Sequence, residues 1–195
     1  MTGQDFERKI VHAFNDYADN FSKKLIAYRH LQTRYTPQLF DVLVDSRGNE
    51  FYFAIECKSV QPSQTQGIYF KQHFSTAAGA HQIERETDFI TRSGRQGILA
   101  VELRNGAGRS KTAHLIPWGL IFDRYNEGGA GITLQEIQVN PPLGRKGRAY
   151  EISSLDILRI TGYYDLVLND RSIDTDPCSG DLLFEDLCSE GEDLG

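Results

Sequence analysis

Two segments decide the fold, Gln38-Leu-Phe-Asp-Val-Leu-Val-Asp45 and Glu50-Phe-Tyr-Phe-Ala-Ile-Glu-Cys-Lys-Ser-Val60. Both are dense in β-branched and aromatic residues, and Ser46-Arg-Gly-Asn49 between them is typical of a turn. The pattern therefore predicts an antiparallel hairpin. Because alternate residues of a strand point to the same side, Glu56 and Lys58 share one face of the second strand.

Asp41 interrupts the apolar run of the first strand. If the hairpin turns about Arg47-Gly48, Asp41 faces Ala54 and becomes a diagonal neighbour of Glu56 on the same face. A slip of one residue would move Asp41 to the other face, because side chains alternate with a period of two. The predicted cluster therefore depends on the register of this hairpin.

The sequence around the hairpin predicts one α/β domain with a central mixed sheet flanked by helices. A Gly- and Pro-rich stretch covers residues 128–150, and either Ser75 or Thr76 is expected to cap the second helix. The other predicted elements are helices at 3–28, 76–92, 117–125 and 153–160, a short edge strand at 68–70, and strands at 97–103 and 112–116.

The acidic charge of the chain is concentrated at its C-terminus. Of 27 Asp and Glu residues, eight lie in 173–195, where Lys and Arg are absent, so 19 acids face 21 bases in 1–172. We expect a domain at 1–172 and an acidic, disordered tail at 173–195. The formal charge of −6 does not exclude nucleic acid, since binding follows local patches.

Other features point to the cytoplasm. The sequence has no apolar run long enough to span a membrane and no secretory leader. Its three cysteines fit neither a disulfide framework nor a zinc motif. We expect a cytoplasmic protein, associated with the nucleoid or, if the source is viral, in the host cytoplasm.

The three polar strand residues suggest metal chemistry. Carboxylates converging from neighbouring strands, Asp41 and Glu56, suit a hard cation such as Mg²⁺, which keeps several waters. Such an ion activates water and stabilises charge on a phosphate, and Lys58 could assist both. The backbone carbonyl of Cys57 could be a further ligand. The alternative is a Glu–Lys pair on a solvent-facing strand, since antiparallel sheets often have one polar face.

Asp41 followed by Ile55-Glu56-Cys57-Lys58 resembles the motif of the PD-(D/E)xK nuclease superfamily, with Phe40 where the motif has Pro. Gly3-x-x-Phe6-Glu7 and Ile55-Glu-Cys-Lys-Ser59 resemble archaeal Holliday junction resolvases. Further motifs resemble RecU-type resolvases, and together the similarities cover about residues 3–125: Phe70, His81-Gln82-Ile83, Gly97-Ile-Leu-Ala-Val101 and Leu115-Ile-Pro117.

This resemblance implies a restriction-endonuclease-like core and a Mg²⁺-dependent endonuclease, with Mn²⁺ as a substitute, acting as a homodimer on branched or duplex DNA. Asp41, Glu56 and Lys58 would be catalytic. Glu7 would be a metal or water ligand, unless it is an ordinary acid of a first helical turn. Gln82 would point at Lys58 or the scissile phosphate, unless it is a surface residue.

Positively charged residues offer candidate contacts to phosphates: Lys71, Arg85, Arg145, Lys146 and Arg148. These charges could also form an ordinary solvated face. Within the tail, Asp181-Leu-Leu-Phe184 could dock on a protein partner. Three functions stay open at this point: a junction resolvase, a restriction-type or general repair DNase, and a nuclease-like protein that binds nucleic acid without cleaving it.

Overall fold

The computed structural model describes residues 3–30, 39–48, 50–77, 79–106 and 108–171, with side chains of the last helix as far as Gly162. The acidic tail and the expectation of its disorder lie outside the described residues. The elements are α1 Gly3–Asn20, β1 Leu25–Arg29, β2 Val42–Ser46, β3 Phe53–Val60, β4 Gly67–Tyr69, α2 Phe70–His73, β5 Thr76–Ala77, β6 Ala80–His81, α3 Gln82–Ser93, β7 Gln96–Leu103, β8 Thr112–Pro117, α4 Trp118–Asn126, β9 Gly131–Thr133, α5 Leu134–Val139, β10 Gly144–Lys146, β11 Ala149–Glu151 and α6 Ser154–Arg171.

The central sheet has five strands in the order β1-β2-β3-β7-β8. Neighbouring strands are antiparallel except β3 and β7, which run parallel from the pair Phe53↔Gln96 to the pair Val60↔Leu103. Parallel neighbours require a crossover connection, and α2 and α3 lie in it. The mixed sheet flanked by helices confirms the fold class predicted from the sequence.

Helices cover both faces of the sheet, so each face has its own apolar core. One core joins α1, α6 and β11 to the sheet and includes Phe14, Phe53 and Tyr150. The other joins α2–α5 to the opposite face and includes Ile83 and Trp118. Burial on both sides leaves little room for polar side chains in the central strands, so each one there requires a physical reason.

The first helix is shorter than predicted, because it ends at Asn20 and Leu25 begins β1 instead. Ser22 adopts the left-handed conformation with φ of 51°. The N–H of Lys23 then donates to the carbonyl of Ala18 at 2.8 Å, which is the closing bond of a Schellman motif. Glycine usually occupies the left-handed position, and the serine here hid the helix end.

The hairpin register differs by two residues from the prediction. Val42 pairs with Ile55 and Leu43 with Ala54, so Asp41 lies next to Glu56 rather than opposite Ala54. A shift of two residues preserves the alternation of faces within the hairpin. Asp41 itself lies just before the paired residues, and its side chain accepts the N–H of Cys57.

Other boundaries also needed correction. The segment predicted as a helix from residue 76 first forms the β5–β6 hairpin, and α3 begins at Gln82 with His81, not Ser75 or Thr76, as its cap. The predicted edge strand is β4, which pairs with β9 outside the central sheet. The Gly- and Pro-rich stretch contains β9, α5 and the β10–β11 hairpin. None of the described helices is long and apolar enough to cross a membrane.

Candidate active site

Asp41 lies immediately before β2 and is bound to β3 by two hydrogen bonds. Its N–H donates to the carbonyl of Ile55 at 3.0 Å, and its Oδ2 accepts the N–H of Cys57 at 2.8 Å. Cys57 is the residue between Glu56 and Lys58. The carboxylate is therefore fixed on the backbone of the strand that carries the other two predicted residues.

Phe40 explains why this sequence lacks the proline of the motif. Its φ is 61°, and its buried N–H donates to Oε1 of Glu86 at 3.3 Å. Proline fixes φ near −65° and has no N–H, so it could supply neither feature. A non-glycine residue at positive φ is strained and persists where its surroundings hold it.

Glu56 and Lys58 form a close pair on a covered face. Lys58 Nζ donates to Glu56 Oε1 at 2.5 Å, and only 5% of the Glu56 side chain and 18% of the Lys58 side chain are exposed. The ammonium also lies 4.7 Å from the centre of the Phe74 ring. The alternative of a solvent-facing ion pair is therefore wrong, because α3 and Phe74 shield this pair.

Gln82 is the first residue of α3 and reaches Glu56 rather than Lys58. Its Nε2 donates to Glu56 Oε1 at 3.0 Å and to Glu86 Oε1 at 2.8 Å. Its Oε1 accepts the N–H of Ser75 at 3.0 Å. The amide is thus held from both ends and joins the helix to the strand, which excludes the surface-glutamine alternative.

The charges of the site perturb one another. Burial, followed by the neighbouring charge of Glu56, raises the pKa of Asp41 from 3.8 to about 7, although the Cys57 N–H acts in the opposite direction. Burial alone lowers the pKa of Lys58, but Glu56 and the more distant Glu86 outweigh burial and raise that pKa. Several acidic side chains therefore lie close together with one ammonium group. This arrangement favours the binding of an additional cation.

Glu7 approaches the same region from α1. Its Oε2 accepts from Arg29 Nη2 at 2.6 Å and Nε at 2.8 Å, so it is more than an isolated acid of a first helical turn. Its negative charge still contributes to the raised pKa of Asp41. Arg29 orients Glu7 without removing its influence on the site.

Cys57 can contribute its backbone but not its thiolate. Burial, followed by the charges of Asp41 and Glu56, raises the pKa of its thiol well above the usual range, so the side chain stays protonated. Within the described part of the chain it is a free cysteine. The predicted ligand is thus its carbonyl oxygen, as the sequence suggested.

The donors fit a hard cation that keeps much of its water. In the residues that the structure describes, no three His, Cys, Asp and Glu side chains form a ready-made metal cluster. Asp41 and Glu56 supply carboxylate oxygens, which suits Mg²⁺ bound through one or two carboxylates. The mutual repulsion that raises the pKa of Asp41 is what such a cation would relieve.

Glu86 was not predicted as a site residue, although it is fully buried one helical turn after Gln82. Burial, followed by the charge of Glu56, raises its pKa well above the usual range. Its Oε2 has no hydrogen-bond partner in the described part of the chain. An acid four residues after Gln82, between the apolar Ile83 and Ile90, was the available signal.

Glu102 was also missed, and it lies on the opposite face of the sheet. It is the only acid in the apolar run of β7 and is 1% exposed. Ser59 Oγ donates to its Oε2 at 3.4 Å, so Ser59 is directed away from Lys58. A lone acid in a buried strand was again the available signal.

The candidate phosphate contacts do not form one surface. Lys71 is exposed on α2, whereas Arg85 donates from α3 to the carbonyl of Ala80 at 2.7 Å. Arg145 and Arg148 line one cleft together. Lys146, from the same hairpin, lines a second cleft that contains four acids. Lys146 is therefore poorly placed for a polyanion.

This chain is similar to known proteins in structure but not in sequence. No protein-family model matches the sequence, and no curated protein sequence matches it. One similar solved structure is that of Hjc, a Holliday junction resolvase from the archaeal hyperthermophile Archaeoglobus fulgidus, with a TM-score of 0.44 and 16% identity over 82% of this chain and 98% of that chain. A similarity this distant concerns the fold alone.

Proposed function

We propose that this protein is a metal-dependent DNA endonuclease that hydrolyses phosphodiester bonds. The observation that carries the proposal is the cluster of Asp41, Glu56 and Lys58. The Cys57 N–H binds Asp41, while Lys58 and the partly buried Gln82 both donate to Glu56. Burial of crowded acids is destabilising, and such arrangements are concentrated at functional sites.

Asp41 and Glu56, with the carbonyl of Cys57, would hold Mg²⁺ or Mn²⁺. When bound, the cation would supply an activated water and stabilise charge on the phosphate. Lys58, whose Nζ contacts Glu56, would donate a hydrogen bond to a phosphate oxygen or to the attacking water. Gln82 fixes Glu56, and Glu7 adds negative charge from α1.

The finer proposal is a Holliday junction resolvase acting as a homodimer. It rests on the motifs of residues 3–125, and a two-fold axis would bring two sites to symmetric strands of a junction. A partner for the acidic segment 181–184 is a separate proposal. A restriction-type or repair DNase would use the same site chemistry, so the choice of substrate must be tested directly.

The experiment compares a labelled four-way junction with a linear duplex of the same arm sequence in Mg²⁺, Mn²⁺ or EDTA. We expect symmetric nicks in the junction with either metal and none in EDTA. Asp41→Asn should abolish cleavage, whereas Asp88→Asn on the exposed side of α3 should not. Equal cleavage of both substrates would favour the general DNase, and metal-bound protein that cleaves neither would contradict the proposal.

A further inference from the structure

A second charged cluster surrounds the buried Glu102 at the end of β7. Arg104 Nε and the Tyr150 hydroxyl each donate to Glu102 at 2.9 Å, while Nζ of Lys111 lies 3.6 Å away and Nζ of Lys9 3.8 Å away. Burial alone raises the pKa of Glu102, but Arg104, Tyr150 and the two lysines outweigh it and lower that pKa. The acid is thus ionised and holds three cations in place.

Three positive side chains share this one buried carboxylate. The side chains of Lys9, Arg104 and Lys111 are each partly exposed, by 20%, 21% and 24%. Arg145 adds a guanidinium 5.3 Å from the ring centre of Tyr150 and donates to the Lys111 carbonyl at 2.8 Å. The aromatic ring and the buried acid therefore organise cations from three parts of the chain.

Lys9, Lys111 and Arg145 border a cleft of about 530 Å³ that has no acidic lining residue among the residues that the structure describes. Its uncharged lining residues are small, which lets a ligand approach the backbone closely. The complete lining is Lys9, Gly108, Arg109, Ser110, Lys111, Arg145, Gly147 and Arg148. Five positive charges, of which Lys9 and Lys111 share the buried Glu102, fit a ligand that carries several negative charges.

The cleft adjoins two others that extend to the end of β3, the strand that carries Glu56 and Lys58. An adjoining cleft shares Arg109 and Ser110 with it. A third cleft, of about 720 Å³, shares Ser63 with the adjoining one. The third cleft is lined by Ser59, the residue after Lys58, and by Arg104 of the Glu102 cluster. The three clefts thus adjoin one another from the end of β3 to the five cations.

We propose that the cleft of Lys9, Arg109, Lys111, Arg145 and Arg148 binds backbone phosphates of a nucleic acid strand whose scissile phosphate lies at Asp41 and Glu56. This proposal rests on the endonuclease function, because the active site fixes the position of the scissile phosphate of the nucleic acid strand. A polyanion with regularly spaced charges matches both the adjoining clefts and the five cations. Glu102 holds Lys9 and Lys111 in place beforehand, so these two side chains lose little conformational freedom on binding.

The test measures DNA binding without metal, where cleavage does not occur. Anisotropy of a labelled duplex is titrated at several salt concentrations for wild type, for Arg109→Gln with Arg148→Gln, and for a control pair, Lys23→Gln with Arg92→Gln. Both pairs remove two exposed positive charges, but the control residues lie outside the three clefts.

Each lost phosphate contact should lower the slope of log affinity against log salt by about 0.9 for duplex DNA. We expect the cleft pair to lower the slope by about 1 to 2 and the control pair to leave it unchanged. Equal slopes in both variants would overturn the proposal, as would binding of labelled polyglutamate that the cleft pair abolishes while DNA binding is unaffected. A protein that cleaves no DNA but shows the slope change would refute the nuclease and keep the cleft.

Discussion

Replacing Asp41 with asparagine should stabilise the metal-free protein, and the gain should increase with pH. Asparagine can still accept the Cys57 N–H through its side-chain oxygen, but it has no charge to bury beside Glu56. The pKa of Asp41 is about 7 in the folded chain against an ordinary 3.8. Between these values the folded chain holds more protons than the unfolded chain, so stability falls as pH rises and levels off above about pH 7.

The magnitude follows from the two pKa values. At pH 8 the ionised Asp41 lowers the free energy of unfolding by about 4 kcal/mol, and at pH 5 by about 1.5 to 2 kcal/mol. The stabilisation by Asp41→Asn should therefore be about 2 to 3 kcal/mol greater at pH 8 than at pH 5. Part of this difference in the free energy of unfolding arises from Glu56, because its charge repels that of Asp41.

Urea unfolding in EDTA at pH 5, 6, 7 and 8 measures the difference, with Asp88→Asn as the control because that carboxylate is 64% exposed. The control should change the free energy of unfolding by less than about 0.5 kcal/mol at every pH. A variant of Asp41 that is less stable than wild type at pH 8, or whose effect does not vary with pH, would refute the proposed crowding of charge.

Three further substitutions test the parts of the site separately. Lys58→Ala should lower kcat about 100-fold or more while DNA affinity in EDTA changes little, and a kcat within threefold of wild type would deny it a role in the reaction. Glu86→Leu should destabilise the protein by about 2 to 5 kcal/mol in urea, because the Phe40 N–H and one of the two Gln82 amide hydrogens lose the acceptor that Glu86 provides. Glu86→Gln should have a smaller effect. Phe40→Pro should lower Tm more than Phe40→Leu, since only proline forbids the positive φ; the reverse order would contradict that explanation.

The hairpin and its three polar residues could be predicted because their signal is local. Period-two alternation assigns Glu56 and Lys58 to one face, and the wrong register left the faces of β2 unchanged because the error was two residues. The interior of β7 was equally clear from its apolar run. Such features depend on neighbours along the chain and not on distant contacts.

Other features depend on contacts that the sequence does not display. The amphipathic spacing that formed α1 continued through Phe21 and Leu25, and only the conformation of Ser22 ended the helix. The role of Glu86 depends on Phe40, which is 46 residues away along the chain. Its partners could be identified only after the crossover helix was placed against β2 and β3.

The parallel pairing of β3 with β7 has a consequence for the order in which the site is completed during synthesis. Asp41, Glu56 and Lys58 emerge from the ribosome on the hairpin, but Gln82 and Glu86 arrive later on the crossover helix, and β7 follows them. Pairing across a long connection is a slow step in folding. The nascent chain therefore contains Asp41, Glu56 and Lys58 before Gln82 and Glu86 are present to orient them. The geometry of the site is complete only after the crossover helix and β7 have packed against the hairpin.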